Sequence, residues 1–208
     1  MAGIILAAGE ASRMGRAKQL LPAGDETLLQ RVLREALASG LETVVLVLGH
    51  RADQVRESMG RLQTHPKLRI VVNPRFREGM STSLIEGMRC VEGTCERVMV
   101  ILGDMPQVTS NLIDRLRRET EISGRPLGAV AVRGRRTLPV VIGRAFYEKV
   151  HGLTGDVGAR GLFRDHPGAT CLVETGDTYE SSDIDTPEDY ERFIHGLGGG
   201  KGSSKAEV

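Results

Sequence analysis

The sequence predicts an α/β layered fold with a mostly parallel sheet and an antiparallel strand near its edge. Two observations carry that expectation. Short β-branched apolar runs alternate with longer amphipathic segments along the chain, and strands alternating with helices of such lengths build parallel sheets covered by helices. The stretch Arg133-Gly134-Arg135-Arg136-Thr137-Leu138-Pro139 joins two short apolar runs and reads as a hairpin, which sets at least one strand antiparallel to its neighbour.

Strands are expected at residues 3–7, 43–48, 68–72, 97–102, 128–132, 139–142 and 170–173. Helical patterns separate them. In the first, Leu28, Leu29, Val32, Leu33, Ala36 and Leu37 recur at the spacing that gathers apolar side chains on one face. The same pattern marks residues 52–62, 80–91, 110–122 and 187–195. Ligands of such sheets bind beyond the carboxyl ends of strands, which directs attention to the loops after Ala7, Leu48, Val72, Leu102 and Val173.

With 208 residues, 40% hydrophobic and 26% charged, the chain has the size and composition of one globular domain with its own core. That domain is expected over residues 1–195, followed by a flexible Gly/Ser/Lys tail at 196–208. The 28 Lys and Arg nearly cancel the 27 Asp and Glu, for a formal net charge of +1, so no general field draws in nucleic acid. An anionic ligand must meet local charge instead, which first appears at Arg13, Arg16 and Lys18. Cys90, Cys95 and Cys171 make neither an even set nor a C-x-x-C pair; this fits a reducing cytoplasm rather than a disulfide framework or zinc knuckle. Residues 1–6 are too short an apolar run before Gly9 for a signal peptide or membrane span, and read as the first strand.

The connection from Gly9 to Gly24 is far longer than the roughly 2–6 residues usual between a strand and a helix, and loops of that length are usually functional. Five residues separate Gly9 from Gly15 and Lys18 does not directly follow the second glycine, so this is neither a Walker A loop nor the dinucleotide fingerprint. Ala7, Ala8 and Gly9 keep side chains clear of a ligand lying on the backbone, and successive N–H groups in such a turn hold an anion. Ser12 adds a hydroxyl, Arg13 a fork matched to phosphate oxygens and Lys18 a mobile point charge. The plainer alternative is a tight surface turn with solvated basic residues.

Gly103-Asp104-Met105-Pro106 follows the apolar run at 98–102, which places Asp104 at the carboxyl end of a buried strand. A turn role is one reading of it, but Thr109 or Ser110 is expected to cap the next helix, leaving Asp104 for metal or phosphate chemistry. In Ser182-Asp183-Ile184-Asp185-Thr186-Pro187-Glu188-Asp189, Thr186 reads as the N-cap, Pro187 as the first helical residue and Asp189 as partner in a capping box. Asp183 and Asp185 remain, pointing to opposite sides of an extended segment. Mg²⁺ is commonly held by one or two carboxylates plus substrate phosphates, so Asp104 and Asp185 make a candidate pair if their loops meet. In the loop-to-helix junction Gly155-Asp156-Val157-Gly158-Ala159-Arg160, Asp156 either caps the helix that follows or takes part in acceptor binding. Gly79-Met80-Ser81-Thr82-Ser83 offers a helix start with small hydroxyl residues to an anion or a base edge. His50, His65, His151, His166 and His195 show no zinc-hydrolase spacing, and no G-x-S-x-G elbow accompanies them. His50 is expected to be structural, at the surface or half buried.

Leu6-Ala7-Ala8-Gly9, Ser12-Arg13-Met14-Gly15, Lys18, Leu20-Leu21-Pro22, Asn73-Pro74, Gly79-Met80, Ser83-Leu84, Gly103-Asp104-Met105-Pro106, Gly155 to Arg160 and Asp183 to Asp189 stand in the order seen in one family. Over residues 3 to about 193 the chain resembles the molybdenum cofactor cytidylyltransferases, part of the wider group of nucleotidyltransferases with a Rossmann-like domain. The resemblance implies a Rossmann-like three-layer sandwich and a Mg²⁺-dependent transfer of CMP from CTP to the terminal phosphate of molybdopterin molybdenum cofactor, releasing pyrophosphate. Ala8 stands where related guanylyltransferases usually carry a glycine, which points to CTP rather than GTP. Two features depart from the family pattern: residues 135–140 lack its Gly-x-Pro-Val, and Phe76 replaces a frequent tryptophan.

By the same resemblance, Leu6, Ala7, Ala8, Gly9, Ser12, Arg13 and Lys18 hold the nucleotide, with Asn73, Gly79 and Ser83 near its base and ribose. Arg13, Lys18 and Asp104 act in catalysis, and Asp104 and Asp185 ligate Mg²⁺. Gly155, Asp156 and Arg160 contact a phosphorylated pterin acceptor, and a molybdoenzyme or its chaperone is the implied partner. A related guanylyl-, sugar-phosphate or alcohol-phosphate nucleotidyltransferase stays open as an alternative, as does a non-catalytic accessory protein that carries the cofactor.

Overall fold

The computed structural model describes residues 1–10, 17–176 and 184–199. The chain runs β1 (Ala2–Ala7), a small hairpin of β2 (Pro22–Ala23) and β3 (Glu26–Thr27), α1 (Leu28–Ala38), β4 (Thr43–Leu48), α2 (Ala52–Ser58) and β5 (Leu68–Val72). Next come α3 (Met80–Arg89), β6 (Arg97–Leu102), α4 (Ser110–Ser123), β7 (Leu127–Val132) and β8 (Arg135–Gly143). Finally α5 (Tyr147–His151), α6 (Arg160–Asp165), β9 (Thr170–Glu174) and α7 (Pro187–Gly199) complete it. Among the described residues no helix is long and apolar enough to cross a membrane.

The seven expected strands form one sheet in the order β5-β4-β1-β6-β8-β7-β9. All are parallel except β8, which lies between β6 and β7 and runs against both. The fold is thus the expected α/β, Rossmann-like one, with its antiparallel strand third from the β9 edge. The β7–β8 turn, Arg133-Gly134, has φ of 50° and 72°, a left-handed pair that matches the twist of a two-residue hairpin. β8 starts at Arg135, four residues before the apolar run that marks it in the sequence, because Arg135, Arg136 and Thr137 pair with β7 beyond a bulge at Ala129/Val130. α5 is too short for apolar periodicity to reveal.

Alternate residues of β1 face opposite layers. On one side α3 presses Gly87 so close that a Cβ there would meet Ile4 Cγ2 at 2.5 Å and Val47 Cγ2 at 3.0 Å. On the other, α1 buries Leu28, Leu29, Val32, Leu33, Ala36 and Leu37, the stripe expected from the sequence, after a capping box between Thr27 and Gln30. Thr109 caps α4 by accepting from Leu112 N–H. α7 continues through Gly196 to Gly199, past the boundary expected at residue 195.

A second small core decides where α7 sits. Leu21 and Ala23 of the hairpin region, Leu28 and Ile184 are buried together, with Tyr190 and Phe193 packed against them, and the Tyr190 hydroxyl donates to Pro22 C=O at 2.8 Å. The chain steps outward from β1 to β4 to β5 and then returns to β6 on the far side of β1. Connections diverge there, and a crevice opens beyond the carboxyl ends of β1 and β6.

Candidate active site

Leu6 and Leu102 are opposite one another in the β1–β6 ladder, so the residues after each strand emerge side by side into this crevice. Gly103 N–H donates to Leu6 C=O at 2.9 Å and carries Asp104 to the same mouth. The end of β4 joins them: a Cβ on Gly49 would lie 2.7 Å from Ala8 O, and His50 N–H donates to that oxygen at 3.0 Å. Gln19, 6% exposed, braces the start of the glycine-rich loop by donating Nε2 to Ala7 C=O (3.0 Å) and Gly9 C=O (3.2 Å).

Lys18 turns back from that loop between two carboxylates. Its Nζ lies 3.3 Å from Asp104 Oδ2 and hydrogen-bonds Asp185 Oδ1. Asp185 arrives because Ile184 N–H donates to Asp104 C=O at 3.2 Å and because the Thr186–Asp189 capping box forms as expected, with Asp189 Oδ2 also accepting from Asp185 N–H. Burial pulls the Lys18 pKa down, but the hydrogen bond to Asp185 and the charges of Asp104 and Asp185 outweigh it and hold the ammonium above its ordinary value. The cleft therefore carries a cation between two anions.

The opposite wall comes from the start of α3. Gly79, with φ of 114°, packs its backbone on Gly155, where a Cβ would come within 2.3 Å of the Gly155 carbonyl carbon. Asp156 Oδ1 accepts from Met80 N–H at 3.0 Å. Asp156 thus caps α3, a helix far away in the sequence, and not the helix that follows it; Ala159 occupies that N-cap position without a side-chain bond. Asn73 is fully buried: Nδ2 donates to Thr82 Oγ1 (2.8 Å) and Ser83 Oγ (3.0 Å), and Oδ1 accepts from Arg75 N–H (2.9 Å). It stands behind the wall and orients Ser83 rather than reaching the cleft.

A cavity of about 300 Å³ joins these groups. Of the residues expected in the site, Leu6, Ala7, Ala8, Gly9, Lys18, Ser83, Asp104, Asp156 and Asp185 line it. Gly79 and Gly155 shape its wall through their mutual contact. Ser12, Arg13 and Asp183 lie outside the described residues. A second cavity of about 350 Å³ shares Leu6, Met80, Leu102 and Asp156 with the first and contains Arg160. Sequence reasoning missed Gln19 and Arg136, which lie in these cavities without a distinctive motif of their own.

At the rim, Arg77 Nε donates to Glu10 Oε1 at 2.7 Å while its guanidinium lies 5.5 Å from the Phe76 ring centre. The hydrogen bond from Arg77 holds the Glu10 carboxyl below its usual range. His50, half-buried as expected, meets Phe76 edge-on at 6.2 Å.

Comparison with known proteins agrees with this geometry. The family described as MobA-like NTP transferase domain matches residues 3–170. The chain is 30% identical over 196 residues to the purine catabolism protein PucB of Bacillus subtilis, covering 91% of this chain and 93% of that one. It is 32% identical to nicotine blue oxidoreductase of Paenarthrobacter nicotinovorans, over 92% and 95% of the two chains. With the molybdenum cofactor cytidylyltransferase of Escherichia coli the identity is 31%, over 54% of this chain and 56% of that one. Among solved structures, Rv0371c of Mycobacterium tuberculosis superposes with a TM-score of 0.81 at 26% identity, over 93% and 96% of the chains. A manganese complex of Rv0371c superposes with a TM-score of 0.77 at 25% identity, over 93% and 97%. The present chain belongs to the MobA-like NTP transferase domain family and is a nucleotidyltransferase.

Proposed function

We propose that this nucleotidyltransferase moves CMP from CTP to the terminal phosphate of molybdopterin molybdenum cofactor and releases pyrophosphate, with Mg²⁺ held at Asp104 and Asp185. The observation that carries the reading is the convergence of these two carboxylates on the Lys18 ammonium where the glycine-rich loop leaves β1. Two carboxylates from separate loops around one positive charge suit a divalent cation. Among the described residues no three His, Cys, Asp or Glu side chains gather, so a metal here takes its remaining ligands from phosphate oxygens and water, as Mg²⁺ commonly does. Bound, it supplies positive charge to the phosphates during transfer.

The chain's own groups do the rest. Leu6 to Gly9 leave backbone open to the triphosphate, and the Gln19 amide keeps that backbone in place. Lys18 brings a charge that can follow the phosphate oxygens as bonding changes, and Arg13 and Ser12 are assigned to the same task from the sequence. A phosphate monoester, with a second pKa of about 6, is already dianionic at neutral pH. Its attack on the α-phosphorus calls for alignment and charge neutralisation rather than a strong base. Gly155, Asp156 and Arg160 belong to the acceptor side, Asp156 and Arg160 in the second cavity and Gly155 packed against Gly79 at the start of α3.

The choice of CTP rests on Ala8, and the acceptor on the resemblance to cytidylyltransferases that act on molybdenum cofactor. Pyrophosphate release with CTP, GTP, UTP and ATP, each with molybdenum cofactor and Mg²⁺, tests both. CTP is expected to support the fastest release. Preference for another nucleotide overturns the CMP assignment, and cofactor binding without turnover of any nucleotide favours a carrier protein.

A further inference from the structure

Beside Arg160, already assigned to the acceptor side, the second cavity contains a further arginine, Arg136, that has no part in the proposed transfer so far. Arg136 enters from β8 and Arg160 from the first turn of α6. Arg136 is held in place: one Nη2 donates to Arg160 C=O at 3.3 Å, and the guanidinium stacks 5.0 Å from the Phe163 ring centre. Burial first, and then the nearby Arg160 charge, pull the Arg136 pKa down. Among the described residues neither guanidinium forms an ion pair with a carboxylate, a condition they share with Arg69, Arg97 and Arg125. The carboxylate in the lining, Asp156, is turned to the α3 N-terminus, where its Oδ1 accepts from Met80 N–H.

Both arginines line one cavity, Arg160 from its exposed rim, so a single anion there can accept from both guanidinium groups. Leu84, Met105, Leu138 and Phe163 supply an apolar part of the wall, beside Thr137 and Asp156. Leu6 and Met80 line both this cavity and the one at the start of the glycine-rich loop. We propose that Arg136 and Arg160 form an anion clamp for the acceptor, selecting a molecule that carries a phosphate on a flat or apolar body and setting it beside the nucleotide. This rests on the reading of the chain as a transferase to a phosphorylated acceptor, and adds the group that recognises the charge. Arg136 is the specificity-determining residue, and Phe163 fixes its plane.

Titrating inorganic phosphate into the full chain with ¹⁵N-labelled arginine, read at the Nε–Hε signals, tests the clamp directly. The Arg136 and Arg160 signals, identified by their loss in Arg136→Gln and Arg160→Gln, are expected to follow one saturable curve. Arg136→Gln is expected to weaken that curve at Arg160 by at least about tenfold, with Arg136→Lys recovering part of it. In turnover, Arg136→Gln is expected to raise the KM for the phosphorylated pterin by about tenfold and leave the KM for CTP unchanged. An Arg160 curve that ignores Arg136→Gln, or no saturable shift at either signal, overturns the clamp even if CTP is consumed. Phosphate binding at both arginines without CTP turnover leaves the clamp standing and removes the proposed reaction.

Discussion

Replacing Lys18 by Met isolates the charge cluster at the heart of the site. At 3.3 Å and an effective dielectric of about 20, one Lys–Asp pair is worth roughly 5 kcal/mol before desolvation. Desolvation of a side chain only 12% exposed opposes that gain, and Asp185, 39% exposed, is screened by water. The net loss on removing the ammonium is then about 2 kcal/mol, left as repulsion between two carboxylates. For a domain of this size that lowers Tm by about 4–8 °C. A divalent cation reverses it: ligand at about 100 times its Kd stabilises by about 2.7 kcal/mol, and in the variant it need not compete with an ammonium. Thermal melts of wild type and Lys18→Met, with and without Mg²⁺, are the assay. The variant is expected to melt lower without metal and to gain more from metal than the wild type does. Equal melting temperatures without metal, or a smaller gain in the variant, would refute the idea that Lys18 occupies the position a metal seeks.

Other consequences are as open to measurement. Asp104→Ala is expected to abolish pyrophosphate release while keeping the far-UV spectrum, because Thr109 and not Asp104 caps the next helix; near-wild-type turnover would remove the metal assignment. Gly79→Ala forces the α3 start off Gly155 at a φ of 114° and is expected to cost about 3 kcal/mol in urea unfolding. Gly161→Ala, inside α6 with nothing within 4 Å of the added Cβ, is the control and is expected to stabilise by about 0.5–1 kcal/mol rather than destabilise. Tyr147, 6% exposed, donates to Cys95 C=O, and burial pushes its pKa up from 10.0 to about 12. Because the folded pKa is the higher, its contribution is fully present below pH 10 and is lost as pH rises through about 12, a span of roughly 3 kcal/mol. Tyr147→Phe is expected to flatten the alkaline fall in stability over that window; identical slopes in the two proteins would contradict the assignment.

The strands were legible because each is a local run of β-branched residues, and the helices because their apolar stripes repeat within a turn or two. The place of Asp104 at the mouth of the crevice was legible for the same reason, since it follows an apolar strand run directly. Thr186 and Asp189 could be paired on paper because a capping box spans only three residues. Asn73 shows what position along the chain does not reveal: its amide is buried and donates to Thr82 and Ser83 behind the wall of the cleft.

Long-range placement needed the tertiary structure. Lys18 and Asp185 are 167 residues apart, and what joins them is the packing of Ile184 with Leu21, Ala23 and Leu28 together with one backbone bond to Asp104. Nothing periodic in the sequence encodes that contact. Asp156 is the same case, a carboxylate whose cap belongs to a helix 76 residues earlier, and so is Arg136, an ordinary hairpin residue until β8 and α6 bring it beside Arg160. Local hydrophobic pattern decides where strands and helices begin and end. Which side chains meet across the crevice is decided by the crossing order of the strands and by small cores that hold distant loops together.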